Sequence, residues 1–245
     1  MKNYIKTPNL PTKMIASVLV DYRINSEALN TLNSLGIKVY TTKSTPSLYD
    51  AVSGHPDMVI HHVCDNKFIC SPENFNDFKD IPGIELIIGK SRLNSEYPWD
   101  ISYNVARVGK HIIHNFKYTD RVILEHSDDL IKINVNQGYS KCSVCVINEN
   151  AIITSDLGIA KKCDLFGIDV LVIDDSCISL NGVSHGFIGG SSGLISPELL
   201  AVNGNIKLHK NYDNISNFCN KYNVNIISLH CGEIEDIGSI ICLTE

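Results

Sequence analysis

Hydrophobic and polar positions alternate along this chain in a pattern that repeats. The clearest stretch runs from Gln137 to Asp174. Cys142 to Ile147 is a short apolar run rich in β-branched residues and predicts a strand. Asn148-Glu149-Asn150 is a polar turn, and Ala151 to Thr154 predicts a second strand, so the two read as a hairpin. Ser155 or Asp156 can cap the helix that follows, whose apolar residues Leu157, Ile159, Ala160 and Cys163 fall near helical spacing. Gly167 ends it, and Val170 to Ile173 predicts a buried third strand. The unit is strand, strand, helix, strand.

Looser copies fill the rest of the chain. Their helix exits read LGIKVY at Leu35–Tyr40, PGIELI at Pro82–Ile87, LIKI at Leu130–Ile133 and YNVNII at Tyr222–Ile227. First strands are expected at Ile15–Val20, Met58–Val63 and Ile101–Val108, and as an irregular Gly-rich stretch at Gly186–Ile195. Helices are expected after Ser26, from Pro72-Glu73, over Thr119–Glu125, and from Asp213 or Asn214 to Lys221. Asn203-Gly204 between two apolar runs predicts a hairpin. The first unit lacks one strand, and Gly238–Leu243 is a strand without a unit. Pairing that C-terminal strand beside Ser17–Val20 completes five units and removes free edges. The expected architecture is therefore α/β, a five-bladed α/β propeller of five ββαβ units with pseudo-fivefold symmetry. It forms a single domain over residues 1–245, with 1–14 as an N-terminal extension. An open doubly wound sheet fits less well, because the units carry hairpins and VLVDYRINSE lacks the glycines of a dinucleotide loop.

Composition narrows the class. The chain has 245 residues, 44% hydrophobic and 20% charged, which suits a globular core. A net charge of −6 with no basic run argues against nucleic acid. No stretch has the length of apolar sequence that a membrane helix needs, and the N-terminus lacks a secretory h-region. The expectation is a cytoplasmic protein. Nine cysteines at unpatterned spacings are expected to be reduced, and no metal or cofactor is expected.

The motifs VNQGYSKCS, IITSDLGIA, GFIGGSSG and DIGSI, set in five ββαβ units, resemble a bacterial branch of the pentein, or guanidino-group-modifying enzyme, superfamily. The resemblance covers roughly residues 15–243. It implies attack by a Cys thiolate on a guanidinium carbon, a His partner, and carboxylates that hold the cation. In that superfamily the nucleophile lies near the C-terminus after a Gly-rich turn. Here Asp236-Ile-Gly238-Ser239 occupies that stretch, and the nearest thiols are Cys231 and Cys242. His185 is followed by Gly-Phe-Ile-Gly-Gly, without the acid that follows the family's His.

Residues at the ends of the first strands are the candidates for a central channel. Cys142, His62, His185 and Asp236 are the catalytic candidates; Asp21, Asp65, Asp100 and Asn104 are the substrate-binding ones. Cys142 begins a predicted strand beside Lys141. Asp65 and Asp100 equally suit turns, and His61 and His62 alternate, so only one is expected to face inward. Three readings follow. The first is a Cys-dependent hydrolase or amidinotransferase for a guanidine or amidine. The second is a binding protein for a small polar, cationic ligand, and the third an interaction module of the same fold.

Overall fold

A computed structural model describes residues 4–245; the first three residues of the expected N-terminal extension lie outside them. The described residues form five separate three-stranded sheets and one two-stranded ribbon, Ile178–Ser179 with Ile234–Glu235. Every three-stranded sheet has one pairing scheme. Its first strand runs antiparallel to the second, and the second parallel to the third. In chain order the strands are Ile60–Cys64, Lys67–Cys70 and Glu85–Ile88; then Ala106–Val108, His111–His114 and Ile131–Asn134. Cys145–Asn148, Ala151–Thr154 and Asp169–Val172 follow, then Ser192–Ser196, Leu199–Val202 and Asn225–Ser228. The fifth sheet joins the chain ends: Ile241–Thr244 runs antiparallel to Ser17–Val20, which pairs in parallel with Lys38–Thr41.

The middle strand of each sheet is almost wholly buried, as its mostly apolar sequence requires, whereas the third strands are half exposed. A parallel second-to-third step needs a crossover, and each crossover carries a helix. The turn back into the third strand uses positive φ at Gly36, Gly83, Gly167 and Asn223. This is the left-handed region that glycine and asparagine enter at least cost. Asp156 caps Leu157–Asp164 by accepting from Ile159 N at 2.7 Å, and Asp120 caps Arg121–Glu125 through Val122 N at 2.8 Å.

Several expectations are corrected. Asn25, not Ser26, caps the first helix, accepting from Glu27 N. Asn211, rather than Asp213 or Asn214, precedes the helix Tyr212–Lys221. Ile101–Val105 is an irregular bend, with the strand confined to Ala106–Val108. Cys142 does not begin a strand; it sits in a helical turn, Ser140–Ser143. That turn forms because Ser140 Oγ donates to Gln137 O and Ser143 Oγ to Tyr139 O, offering these carbonyls partners that a sheet would otherwise supply. Asn203-Gly204 is not a hairpin turn. Asn203 is fully buried, with its backbone N–H on Ser191 O and its amide on Glu235 O, and a 3₁₀ turn at Ile206–Leu208 follows. Leu199–Val202 instead pairs back onto Ser192–Ser196.

Candidate active site

The five loops that precede the five first strands meet one another. Asp57, Asn104, Cys142, Gly190 and Ser239 each lie two or three residues before their strand. Backbone hydrogen bonds link the loops in series: Asp57 N to Gly238 O at 3.2 Å, Ser239 N to Gly190 O at 2.6 Å, Gly190 N to Cys142 O at 2.8 Å, Lys141 N to Asn104 O at 3.2 Å. Asn104 Nδ2 reaches Met58 Sδ at 3.3 Å and so meets the loop that holds Asp57. Glycine is required at the close contact: a Cβ on Gly190 would stand 2.0 Å from Asp236 Oδ1.

The side chains of these loops form one buried network. Cys142 Sγ donates to Asp57 Oδ2 at 3.1 Å and accepts from Asn104 Nδ2 at 3.0 Å. Ser239 Oγ donates to the same Asp57 oxygen at 2.7 Å, and Lys141 Nζ donates to Ser239 Oγ at 2.9 Å. Asn104 Oδ1 fixes the cysteine turn by accepting from Lys141 N at 2.8 Å. His55 lies between two acids, Nδ1 3.8 Å from Asp236 Oδ1 and Nε2 4.0 Å from Asp21 Oδ2. Neither His55 nitrogen has a hydrogen-bond partner, and neither does Asp57 Oδ1, although both residues are 1% exposed. Unpaired buried polar atoms are costly, so they point to what a site is built to receive.

This network floors a cavity of about 170 Å³, with Cys142, His55 and Asp236 below and Tyr49, Tyr139 and Phe187 among its walls. A single water needs only ~15 Å³ by this measure, so the space admits a small molecule. Val183, 44% exposed, gives the cavity a solvent side. Burial pushes the Cys142 thiol well up, and the charges of Asp57 and Asp236 push it further. Burial also raises Asp236, against His55, which favours its charged form. Backbone N–H groups of Phe187 and Gly238 hold the Asp236 carboxylate at 2.9 and 3.0 Å.

The predicted residues divide. Asn104, Cys142 and Asp236 meet at the network, and Asp21 reaches it through His55. Asp21 is already paired with the guanidinium of Arg23, whose Nη2 lies 2.5 Å from Oδ2. Asp100 stands one residue back, accepting from the Tyr139 hydroxyl at 2.6 Å, and burial raises its carboxyl. His185 lines the cavity, with Nδ1 3.5 Å from Asp175 Oδ2. His62 does not join them. It lies along the Ile60–Cys64 strand, on the order of 10 Å of chain beyond the loop, stacked on Phe68 at 4.2 Å with Nε2 on Asp65 O. His61 and His62 are both buried, so alternation does not expose either one. Asp65 is exposed at positive φ in the turn, a turn former by position. Sequence reasoning missed His55, Asp57 and Ser239. Their signal is position: each lies shortly before a first strand, as Asn104 and Cys142 do.

Three ligand atoms, one each from His55, Asp57 and Cys142, lie within 4.8 Å of one another. Among the described residues no helix is long and apolar enough to cross a membrane.

A family of unknown function (DUF6873) matches residues 19–241. No protein with a curated description matches the sequence. Solved structures do match the fold. Inosamine-phosphate amidinotransferase from Streptomyces griseus superposes with a TM-score of 0.57 at 10% identity, covering 99% of this chain and 97% of that one. DDAH from Pseudomonas aeruginosa, a Cys-to-Ser mutant complexed with citrulline, gives 0.54 at 9% identity over 93% and 96%. Agmatine deiminase from C. jejuni gives 0.52 at 10% identity over 91% and 90%. All are pentein-fold enzymes, and the α/β fold described above is theirs.

Proposed function

The chain belongs to the family of unknown function DUF6873, and from that premise we propose that it is an enzyme acting on a small guanidine or amidine, with Cys142 as nucleophile. The observation that carries this reading is the cavity floor, where a buried thiol, an unpartnered imidazole and the Asp236 carboxylate converge, with Asp57 behind the thiol and hydrogen-bonded to it. The shared fold with an amidinotransferase, DDAH and agmatine deiminase adds support. We read the five sheets as five blades of a single domain around a pseudo-fivefold axis, a reading supported by the serial hydrogen bonds among the five loops. A reducing, cytoplasmic setting fits the nine free cysteines.

The position of Cys142 has a physical logic. Asp57 Oδ2 accepts from both Cys142 Sγ and Ser239 Oγ. The thiol from one loop therefore stands beside the place where the C-terminal stretch delivers Ser239. In the free protein burial, reinforced by the charges of Asp57 and Asp236, pushes that thiol well up and favours its protonated form. A guanidinium ion held by Asp236 offsets their charge and favours the thiolate. The thiol proton passes to Asp57 Oδ2, and Sγ attacks the guanidinium carbon. The C–N bond to the leaving amine then breaks as His55, between its two acids, delivers a proton. Water then gives one proton to the neutral His55 and attacks the S-linked carbon. The S–C bond breaks, Asp57 returns its proton to the thiolate, and the ureido product leaves after its second water proton passes to the released amine or solvent. An acceptor amine in place of water gives amidino transfer.

The test is incubation with arginine, agmatine, methylated arginines and simple amidines, with products followed by mass spectrometry. The expected result is a ureido or amidino-transfer product from one class, lost in Cys142→Ser while the circular dichroism spectrum is kept. A second reading, a non-catalytic binding protein, is favoured by Ser239 standing where the resemblance puts the nucleophile. It predicts a raised melting temperature with one of these cations and no product.

A further inference from the structure

We propose that His55, Asp57 and Cys142 form a site for a borderline-soft divalent cation such as Zn²⁺. The inference stands on donor geometry and does not depend on the guanidine chemistry. One nitrogen, one carboxylate oxygen and one sulfur lie within 4.8 Å of one another, the only such trio among the described residues. Imidazole, carboxylate and thiolate are the donors zinc takes, at ~2.0 to 2.3 Å from the ion, and three of them leave a fourth position open. Here that position faces the cavity, because His55 and Cys142 line it.

Two independent observations point to a missing ligand. Both ring nitrogens of His55 and Oδ1 of Asp57 are buried without a hydrogen-bond partner. A structural histidine in the same protein looks different: His114 uses both nitrogens, on Thr119 Oγ1 at 2.6 Å and on Gly138 O at 2.9 Å. The surroundings also suit a metal-bound imidazole. Whichever nitrogen takes the ion, the other faces a carboxylate, Asp236 at 3.8 Å or Asp21 at 4.0 Å. Such outer carboxylates orient a ligating histidine and strengthen it as a donor. Asp21 is itself clamped by Arg23, which keeps it in place. On binding, the cation replaces the hydrogen between Cys142 Sγ and Asp57 Oδ2, and that proton is released to solvent. Because the metal takes the thiol, metal and a covalently processed substrate exclude each other.

The experiment uses chelator-treated full-length protein, titrated with Zn²⁺ and with Co²⁺ as a spectroscopic probe. The expected result is one equivalent bound, a rise in melting temperature, and a thiolate-to-cobalt charge-transfer band. The band disappears in Cys142→Ser and in His55→Gln and survives in Cys231→Ser, which removes the exposed thiol. Asp236→Asn weakens affinity by about 10–100-fold, as loss of an outer carboxylate does. Absence of stoichiometric binding, or a band that survives Cys142→Ser, overturns the site. Guanidine turnover is measured on the metal-free protein. Turnover without metal binding removes this inference alone; metal binding without turnover removes only the guanidine reading.

Discussion

Two neighbouring regions both bury histidines and leave them in opposite states. Around Cys142, His55 is buried between two acids, has no hydrogen-bond partner and borders a cavity of about 170 Å³. On the Ile60–Cys64 strand, His61 and His62 are also buried, but the crevice they line with Arg107 and Lys141 holds about 20 Å³, room for one water. Pro8 and Asn9 also line it, and Asn9 donates to Arg107 O at 3.0 Å. Lys141 lines the small crevice, and its ammonium reaches Ser239 and through it Asp57. The lesson is that burial of a histidine does not mark a site. What marks it is an unmet hydrogen-bonding capacity beside empty space.

The sharpest way to break this comparison is to remove a group from each region. Cys142→Ser should abolish turnover of a guanidine substrate, and His55→Gln should lower kcat by about 10²–10⁴-fold, the usual worth of a general acid or base. His62→Gln should leave kcat within about twofold while lowering the melting temperature. Steady-state assays with thermal melts on the three variants check this.

Acid should act on the packed histidines. Burial lowers His61 to about 3, and His62 and His114 to about 4. Their folded values lie below the ordinary ~6.5, so between pH 6.5 and 4 the unfolded chain binds protons that the folded chain refuses. Stability is therefore full above that window and falls as pH drops through it, by about 2 kcal/mol per histidine at pH 5. Urea midpoints at pH 7 and pH 5 measure the loss, and His62→Gln should reduce it by roughly one third.

Gly190→Ala tests the site's backbone. The added Cβ meets Asp236 Oδ1 at 2.0 Å, so the carboxylate must move. The expected cost is about 1–3 kcal/mol of stability with a rise in KM. Asp65→Asn, at an exposed turn with positive φ, should change stability by less than about 0.5 kcal/mol and leave kinetics unchanged.

The sheets were legible in the sequence because the middle strands are short apolar runs, such as AIIT at Ala151–Thr154, and four of the five helix exits carry Gly or Asn at positive φ. The orphan strand at the C-terminus was legible for the same reason, and it pairs with Ser17–Val20. The loops were not. Whether Ser140–Ser143 is a strand or a helical turn depends on serine hydroxyls and on Asn104, 37 residues away from Lys141, and local periodicity contains neither. His55 and Asp57 were hidden because they fall just outside the apolar run that predicts a strand from Met58. A 3₁₀ turn at Pro56–Met58 points both side chains into the network instead. Asp21 and Asp236 were found, but the histidine that joins them was not.

The central claim is that Cys142 sits in a site built for a cationic amidine or guanidine. The most direct measurement is peptide mapping after limiting treatment with two alkylators of similar size, neutral iodoacetamide and the cationic 2-chloroacetamidine. In the second, the amidine can dock on Asp236 and Asp57 while the thiol displaces chloride. The predicted result is that iodoacetamide marks the exposed Cys231 first, whereas 2-chloroacetamidine marks Cys142 first and is blocked by a bound guanidine. Labelling of Cys231 by both reagents, with Cys142 inert to the cation, would contradict the account.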